Sequence, residues 1–376
     1  ADAIRLNVRA VPASFMVIKS RYATKQAVAE LQEMALAVWV DIASEPGTDA
    51  FKVEAMKAIT AGANGLISDS AAGVSSLANT HFMDKAFTRT PITIGHRGNP
   101  GVAPENTIES FQAAYDNGGD VFELDVECTS DGVIVVLHDS TLTRTTTYTG
   151  STSIRNMTWA EAQKYYVLAK DGTSTGKPIP TLKEVLDWAK GKDIKIFVEF
   201  KDSSSTCVKG TMKDIVERGM TQQVDIISFD PVALRLARGE VSGISTGYLI
   251  GNKVVGSTYV MALKLFEEKI SKAQQEWSTI NCGSYSNEVT NLTVQVATDR
   301  GMTMWPWTYG YSNTSTAFFD CPDGITTDNM EVMKDMVKVV HAKDIVLDAG
   351  QTYEGGAFTS ETYGNAITAV SASDTI

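Results

Sequence analysis

The sequence predicts an α/β protein whose main part is a TIM (β/α)8 barrel. From Ile92 onward, short β-rich runs alternate with amphipathic stretches, a pattern typical of a parallel sheet with helices outside it. The alternation contains eight strand–helix units up to Val340, and about 250 residues is the size of one such barrel. Polar side chains also gather where these strands run into loops. In a barrel all such strand ends meet at one face, which is where an active site is expected.

Turn residues bound the elements of this barrel. The first helix, from Asn106 to Asn117, ends at the pair Gly118-Gly119, and a later helix runs from Leu182 to Lys190. The turn at Asp131-Gly132 makes the run after it a hairpin arm rather than a barrel strand. The β-rich runs, with the hairpin arm third, are Ile92–Gly95, Val121–Val126, Val133–Leu137, Ile194–Phe200, Val224–Ser228, Gly243–Leu249, Trp277–Ile280, Met302–Trp307 and Gly324–Thr327.

Two segments do not fit the alternation. Residues 141–180 are rich in Thr, Ser and Gly and carry one short helical patch, Thr158 to Tyr166. We interpret them as a small cap inserted after the second strand of a barrel domain at 86–341, because long loops of this kind are usually functional. Residues 342–376 form a Thr-, Ser- and Gly-rich tail, either the beginning of a β-rich module or a frayed terminus.

Residues 1–85 resemble the last part of the barrel itself. Ala35–Trp39 is similar to Gly301–Trp305, and Gly62–Asp69 is similar to Cys321–Asp328. We expect a partial, non-catalytic α/β repeat; an unrelated α/β extension with a chance likeness is the alternative. A three-stranded piece cannot close a barrel, so it must pack on the main domain, on another subunit or on sequence upstream.

The composition excludes several classes of protein. Hydrophobic residues make up 43% and charged residues 21% of the 376 residues, which is ordinary globular usage and not that of a disordered or fibrous chain. The formal net charge is -12, so the chain is a poor candidate for binding nucleic acid, whose phosphates it would repel. No apolar run approaches the roughly 20 residues of a transmembrane segment.

The cysteines and the start of the chain say little about the compartment. The four cysteines are too sparse for a disulfide framework and lack zinc-type spacing, so we interpret them as buried free thiols. They are Cys128, Cys207, Cys282 and Cys321. The chain opens without Met or an apolar signal-peptide segment. The localisation stays open, with a secreted or cell-surface protein favoured over a cytoplasmic one.

Three carboxylates at strand ends predict a metal site. Glu123 and Asp125 are two residues apart on one strand, so both side chains point into the barrel. Two buried carboxylates repel each other unless a cation lies between them, and Glu199 at the end of the next main strand completes the set. Oxygen ligands without His or Cys favour Mg²⁺ or Ca²⁺ over zinc. For any one acid alone, a salt bridge to Arg97 or Lys201 is the simpler interpretation.

Two of the four histidines, His96 and His138, lie at strand ends beside these acids. A histidine pair next to a metal is suited to general acid and base catalysis at neutral pH. Arg97 and Lys201 add hydrogen-bond donors for a phosphate or another oxyanion. Together these groups describe a site for phosphoryl transfer.

Several runs of residues around these positions carry a resemblance to a known family. They include His96-Arg97-Gly98, Pro104-Glu105-Asn106-Thr107, Glu123-Leu124-Asp125-Val126, Val136-Leu137-His138-Asp139, Leu142-Thr143-Arg144-Thr145-Thr146 and Glu199-Phe200-Lys201. They resemble the signature of the glycerophosphodiester phosphodiesterase family, and the likeness extends from about Ile92 to Val340. The family is characterised by a TIM barrel with a cap after the second strand.

The resemblance implies a role for each candidate residue. It implies that Glu123, Asp125 and Glu199 bind a divalent cation, Mg²⁺ or Ca²⁺. It implies that His96 and His138 are the acid–base pair and that Arg97 and Lys201 bind the phosphate. It also implies that Glu105 is an acid that orients the site and that Trp307 lines the polyol pocket. The alternatives are a helix-capping charge for Glu105 and a barrel-filling aromatic for Trp307. Asp328 is expected to brace loops rather than touch substrate. The chain departs from the family at Tyr309-Gly310 and at Met330, so the substrate is in doubt more than the chemistry.

The leading hypothesis is therefore metal-dependent hydrolysis of a glycerophosphodiester to glycerol 3-phosphate and an alcohol. A phospholipase C- or D-like enzyme acting on whole lipids is one alternative. A catalytically inactive binding or surface protein on the same barrel is another, although both histidines, all the acids and the lysine are present. The expected partner is a small phosphodiester, and the alcohol released and the oligomeric state stay open.

Overall fold

The structure, a computed structural model, describes residues 12–81, 91–251, 259–283, 291–310 and 322–333, and short strands at 345–347, 352–353 and 367–368. Two compact units are present, one containing Phe15–Pro91 and the other Ile92–Lys334. No helix among these residues is both long enough and apolar enough to span a membrane.

The smaller unit is a three-stranded parallel sheet in which helices alternate with strands. Its elements are β1 (Phe15–Lys19), α1 (Lys25–Gln32), β2 (Ala37–Asp41), α2 (Asp49–Thr60), β3 (Gly65–Ile67) and α3 (Ala71–His81), with the strands in the order β1-β2-β3. The ring of Trp39 lies over Gly65, where an added Cβ would be 3.0 Å from it. In the larger unit Trp305 lies over Gly324 in the same way, so the two similar segments share this local packing.

The larger unit is built on a parallel sheet of seven regular strands and one hairpin arm. The strands are β4 (Ile92–Gly95), β5 (Val121–Cys128), the arm β6 (Ile134–Val136), β9 (Lys195–Phe200), β10 (Val224–Ser228), β11 (Thr246–Ile250), β12 (Ser278–Cys282) and β13 (Gly324–Thr327). Their order is β12-β11-β10-β9-β5-β4-β13, with β6 antiparallel to β5. The order follows the chain and joins the last strand to the first, as in a barrel.

The prediction of a regular seventh strand at Met302–Trp307 is wrong in detail. The segment pairs with its neighbours only through single parallel bridges, namely Met304 with Ile280, Trp307 with Gly283 and Tyr309 with Thr327. Pro306 interrupts this stretch and has no N–H to donate to a ladder. The bridges nevertheless connect β12 to β13 and close the TIM barrel.

Helices follow the strands on the outside of the barrel. They are α4 (Ile108–Asp116), α6 (Leu182–Ala189), α7 (Ser205–Glu217), α8 (Pro231–Glu240), α9 (Tyr259–Gln275) and α10 (Asn291–Thr298), while α5 (Trp159–Ala162) lies in the inserted segment. The first barrel helix begins at Ile108, two residues later than predicted. Thr107 is its N-cap, and the Thr107 side chain accepts a hydrogen bond from the backbone N–H of Ser110. Phe111 of α4 stacks on Phe122 of β5 with ring centroids 4.5 Å apart, so this helix packs against the second barrel strand.

The inserted segment has a small apolar core of its own. It contains a 3-10 turn at Ile154–Asn156, the helix α5 and a hairpin of β7 (Tyr166–Leu168) and β8 (Ser174–Pro178). The helical patch is shorter than expected, since only Trp159–Ala162 is helical behind an N-cap at Thr158. Its buried apolar residues pack with those of the hairpin arm, and the cluster is Val135, Leu137, Leu142, Ile154, Met157, Ala162, Val167 and Ile179.

Two other expectations from the sequence can be compared with the structure. Cys128 and Cys207 are free and buried, while the side chains of Cys282 and Cys321 lie outside the described residues. In the tail, β14 (Ile345–Leu347) pairs antiparallel with β15 (Thr352–Tyr353) and β16 (Ile367–Thr368).

Candidate active site

Three buried carboxylates converge at the centre of the barrel. Glu123 and Asp125 project from β5 on the same side, and Asp125 is paired in register with Glu199 of β9. One carboxylate oxygen from each of the three lies within 4.8 Å of those from the other two. All three side chains are buried, so the barrel concentrates negative charge at one point.

The electrostatics of this cluster fit a bound cation. Burial and the neighbouring carboxylates raise the pKa of Glu123, and burial together with Asp125 raises the pKa of Glu199 to about 7. Oε1 of Glu123 and Oδ1 of Asp125 are buried and accept no hydrogen bond from the described residues. An all-oxygen set in which two buried oxygens accept no hydrogen bond suits a hard divalent cation such as Mg²⁺ or Ca²⁺.

Arg97 and Lys201 lie at the rim of the carboxylate cluster. The backbone N–H of Arg97 donates to Glu123 Oε2 at 2.8 Å, and its Nε lies 3.3 Å from Asp125 Oδ2. Lys201 Nζ lies 3.3 Å from Asp125 Oδ1 and also donates to Glu199. Burial lowers the pKa of both basic side chains, but Asp125 and the other nearby carboxylates outweigh this effect and raise it. Both side chains therefore stay charged.

A tight turn after β4 aims His96 and Arg97 at the cavity. Arg97 has φ 54° and Gly98 has φ 89°, both in the left-handed region that glycine adopts without cost. A Cβ on Gly98 would lie 2.5 Å from the backbone of Ser110, so no larger residue fits. Asn106, with φ 57°, turns its Nδ2 to Asp125 Oδ2 at 2.8 Å, which fixes one oxygen of that carboxylate.

Each histidine of the predicted pair has a carboxylate on its Nδ1. His96 Nδ1 donates to Asp328 Oδ1 at 2.6 Å, and His138 Nδ1 donates to Asp139 Oδ1 at 2.7 Å. This arrangement leaves Nε2 of both rings free to exchange a proton. Burial lowers the pKa of His138. His138 follows the arm β6 rather than a barrel strand, and the antiparallel pairing of β6 with β5 carries it back to the site.

One cavity of about 140 Å³ is lined by both histidines, both basic side chains and two of the three carboxylates. Its walls are formed by His96, Arg97, Glu123, His138, Phe197, Glu199, Lys201, Ile227, Phe229, Leu249, Asn281, Trp307 and Thr326. Trp307 is held by a hydrogen bond from its Nε1 to the carbonyl of Asn281 at 2.9 Å. The edge of Phe229 meets its ring with centroids 5.8 Å apart, so the two rings give the cavity an apolar side.

Glu105 lies behind Arg97 rather than in the cavity wall. It accepts from Arg97 Nη1 at 2.8 Å and from Arg144 of the inserted segment. The sequence placed Arg144 in a family-like run but gave it no role, and the pairing of Asp139 with His138 was also missed. Adjacency to His138 was a signal for Asp139, but Asp328 is 232 residues from the histidine that it contacts. No local pattern could have revealed that contact.

Comparison with known proteins decides the family. The model of the glycerophosphoryl diester phosphodiesterase family matches residues 96–332, which contain the whole cavity. The chain belongs to this family.

Relatives and solved structures agree with this family. A glycerophosphodiester phosphodiesterase of Caldanaerobacter subterraneus subsp. tengcongensis is 30% identical over 253 residues, which is 66% of this chain and 98% of the relative. The crystal structure of glycerophosphodiester phosphodiesterase from Thermotoga maritima has a TM-score of 0.52 and 26% identity, covering 66% of this chain and 99% of its own. An Oleispira antarctica phosphodiesterase in complex with the product sn-glycerol-3-phosphate has a TM-score of 0.56 and 21% identity, covering 66% and 97%.

Proposed function

We propose that this chain, a phosphoric diester hydrolase, splits glycerophosphodiesters into glycerol 3-phosphate and an alcohol, using a divalent cation and two histidines. The observation that carries the proposal is one cavity lined by both histidines, Arg97, Lys201 and two carboxylates of the cluster that Asp125 completes. Two of the relatives named above are glycerophosphodiester phosphodiesterases by name, and the Oleispira antarctica phosphodiesterase is in complex with the product sn-glycerol-3-phosphate.

Glu123, Asp125 and Glu199 would hold the cation. When bound, such an ion polarises the phosphoryl oxygens and neutralises charge that develops on them. It also relieves the repulsion between the three buried carboxylates, which burial alone makes costly. Glu123 and Glu199, with their raised pKa values, gain most because the cation favours their ionised forms.

Arg97 and Lys201 would bind the phosphate. Both are charged, both are fixed by contacts to the carboxylate cluster, and both line the cavity. Donors that are held in place before the reaction stabilise the charge of the transition state without reorganisation. Trp307 would pack against the carbon chain of the glycerol unit, because it forms the apolar side of the same cavity.

His96 and His138 would move the protons. One removes a proton from the attacking group, either water or a neighbouring hydroxyl of the glycerol, and the other protonates the leaving alkoxide. If the hydroxyl attacks, the product is a cyclic phosphate, which water then opens to glycerol 3-phosphate. Each ring has its Nδ1 committed to a carboxylate, so the proton passes through Nε2. The lowered pKa of His138 favours a neutral imidazole near pH 7, which is the form that a general base requires.

Release of glycerol 3-phosphate and choline from glycerophosphocholine tests the proposal. Turnover should require Mg²⁺ or Ca²⁺, stop with a chelator, and be lost in Glu199→Gln. The matched control is Glu217→Gln, at an exposed helix position, which should behave as the wild type. Hydrolysis of phosphatidylcholine vesicles without hydrolysis of glycerophosphocholine would favour a phospholipase instead. Absence of hydrolysis of either substrate by the cation-loaded protein would favour a binding protein.

A further inference from the structure

Arg144 lies in the inserted segment and contacts two carboxylates at once. Its Nε and Nη2 donate to the two oxygens of Asp139 at 2.6 and 3.2 Å. Its Nη1 and Nη2 donate to the two oxygens of Glu105, each at 2.7 Å. A guanidinium can do this because its donors form a planar fork. These hydrogen bonds, with Glu105 foremost, raise the pKa of Arg144.

Each of the two carboxylates also contacts a group of the cavity. Asp139 accepts from His138 Nδ1 at 2.7 Å, and Glu105 accepts from Arg97 Nη1 at 2.8 Å. Charge therefore alternates along a chain that runs from Arg97 through Glu105, Arg144 and Asp139 to His138. Arg144 is the central member, and it joins the side chain proposed to bind phosphate to one proposed to move a proton.

We infer that Arg144 is a positioning residue, supplied by the inserted segment, that aligns His138 and Arg97 with each other through Asp139 and Glu105. The inference rests on the function proposed above. Without Arg144, two carboxylates would face each other across the gap that it fills and would repel. Each would then shift and carry its partner in the cavity with it, and displacements near 1 Å at a reacting group can cost about 100-fold in rate.

The first test is Arg144→Ala. We expect kcat for glycerophosphocholine to fall by about 100-fold, with a smaller change in KM and an unaltered circular dichroism spectrum. The matched control is Arg218→Ala. Arg218 pairs in the same fork geometry with Asp187, Nε to Oδ1 at 2.8 Å and Nη2 to Oδ2 at 3.3 Å, but neither residue lines the cavity. Wild-type kcat in Arg144→Ala would overturn the inference.

The second test separates positioning from anchoring of the inserted segment. The side chain of Arg144 is 46% exposed, so free guanidinium can reach its place in the variant. Millimolar guanidinium chloride should raise the kcat of Arg144→Ala several-fold, while equal sodium chloride should not. Free guanidinium bridges the two carboxylates but cannot tether the backbone. If Arg144→Ala loses activity and guanidinium does not restore it, Arg144 anchors the inserted segment and the inference is overturned.

A third measurement does not depend on hydrolysis. The side-chain ¹⁵N resonances of His138, assigned by comparison with His138→Ala, should shift in Arg144→Ala, return with guanidinium, and stay unchanged in Arg218→Ala. If the wild type hydrolyses no glycerophosphodiester, the proposed function fails and these resonances still decide the inference. Unchanged resonances in Arg144→Ala would overturn it whatever the activity.

Discussion

Asp328 fixes the orientation of His96, and its removal should slow catalysis by a defined amount. The carboxylate Oδ1 accepts the Nδ1 proton of His96 at 2.6 Å, so Nε2 faces the cavity as an acceptor. In Asp328→Asn the shape is kept and the charge is lost. The ring then loses the anion that stabilises its protonated form during proton transfer.

The size of the effect follows from the kind of hydrogen bond. Hydrogen bonds to charged groups contribute about 1.5–3 kcal/mol. The Asp328 side chain is 45% exposed, so solvent screens the pair and the lower end of that range applies. Since about 1.4 kcal/mol corresponds to a tenfold change in rate, we expect kcat to fall about tenfold with little change in KM.

The assay is the release of glycerol 3-phosphate from glycerophosphocholine at saturating cation. Asp299→Asn, at an exposed position beyond α10, is the control and should leave kcat unchanged. The same Asp328→Asn change in a His96→Ala background should have no further effect, because the carboxylate acts through that ring. The reasoning is refuted if Asp328→Asn keeps the wild-type kcat, or if Asp328→Asn lowers kcat by the same factor in the His96→Ala background as in the wild type.

Three other predictions concern the cation, the histidines and the smaller unit. Burial raises the pKa values of Glu123 and Glu199, the latter from 4.5 to about 7. The folded protein therefore favours the protonated carboxyls, and this contribution to the free energy of unfolding is present below about pH 4.5 and is lost as the pH rises through the raised pKa values. Mg²⁺ should therefore raise Tm more at pH 8 than at pH 5, and an equal rise at both would contradict this. His96→Ala and His138→Ala should each lower turnover of glycerophosphocholine by about 10²–10⁴ with the fold intact; near-full activity in either would exclude the pairing. A chain starting at residue 86 should keep activity per folded molecule, judged by circular dichroism and gel filtration; loss of activity in a well-folded monomer would show that the removed segment helps to build the site.

Local periodicity was sufficient to predict the cluster of three carboxylates. Glu123 and Asp125 lie two apart within a run of apolar residues, and period-two alternation puts both on one face of any strand. Parallel neighbours then bring Glu199 beside Asp125. The strands themselves were predictable within a few residues because each is a short apolar run between turn signals. The sequence by itself therefore determined the barrel, its carboxylates and the positions of both histidines.

Contacts between distant loops were decided only by the closed barrel. Asp328 reaches His96 because β13 pairs with β4, and this pairing depends on the closure of all eight positions around the sheet. Arg144 reaches Glu105 because the inserted segment folds over the rim on its own apolar core. The strand at Met302–Trp307 was predicted, but its pairing through single bridges was not. A local sequence pattern indicates which side chains of one segment are buried on the same face. Which loops come into contact depends on sheet register and on packing between distant segments, and a local pattern does not contain that information.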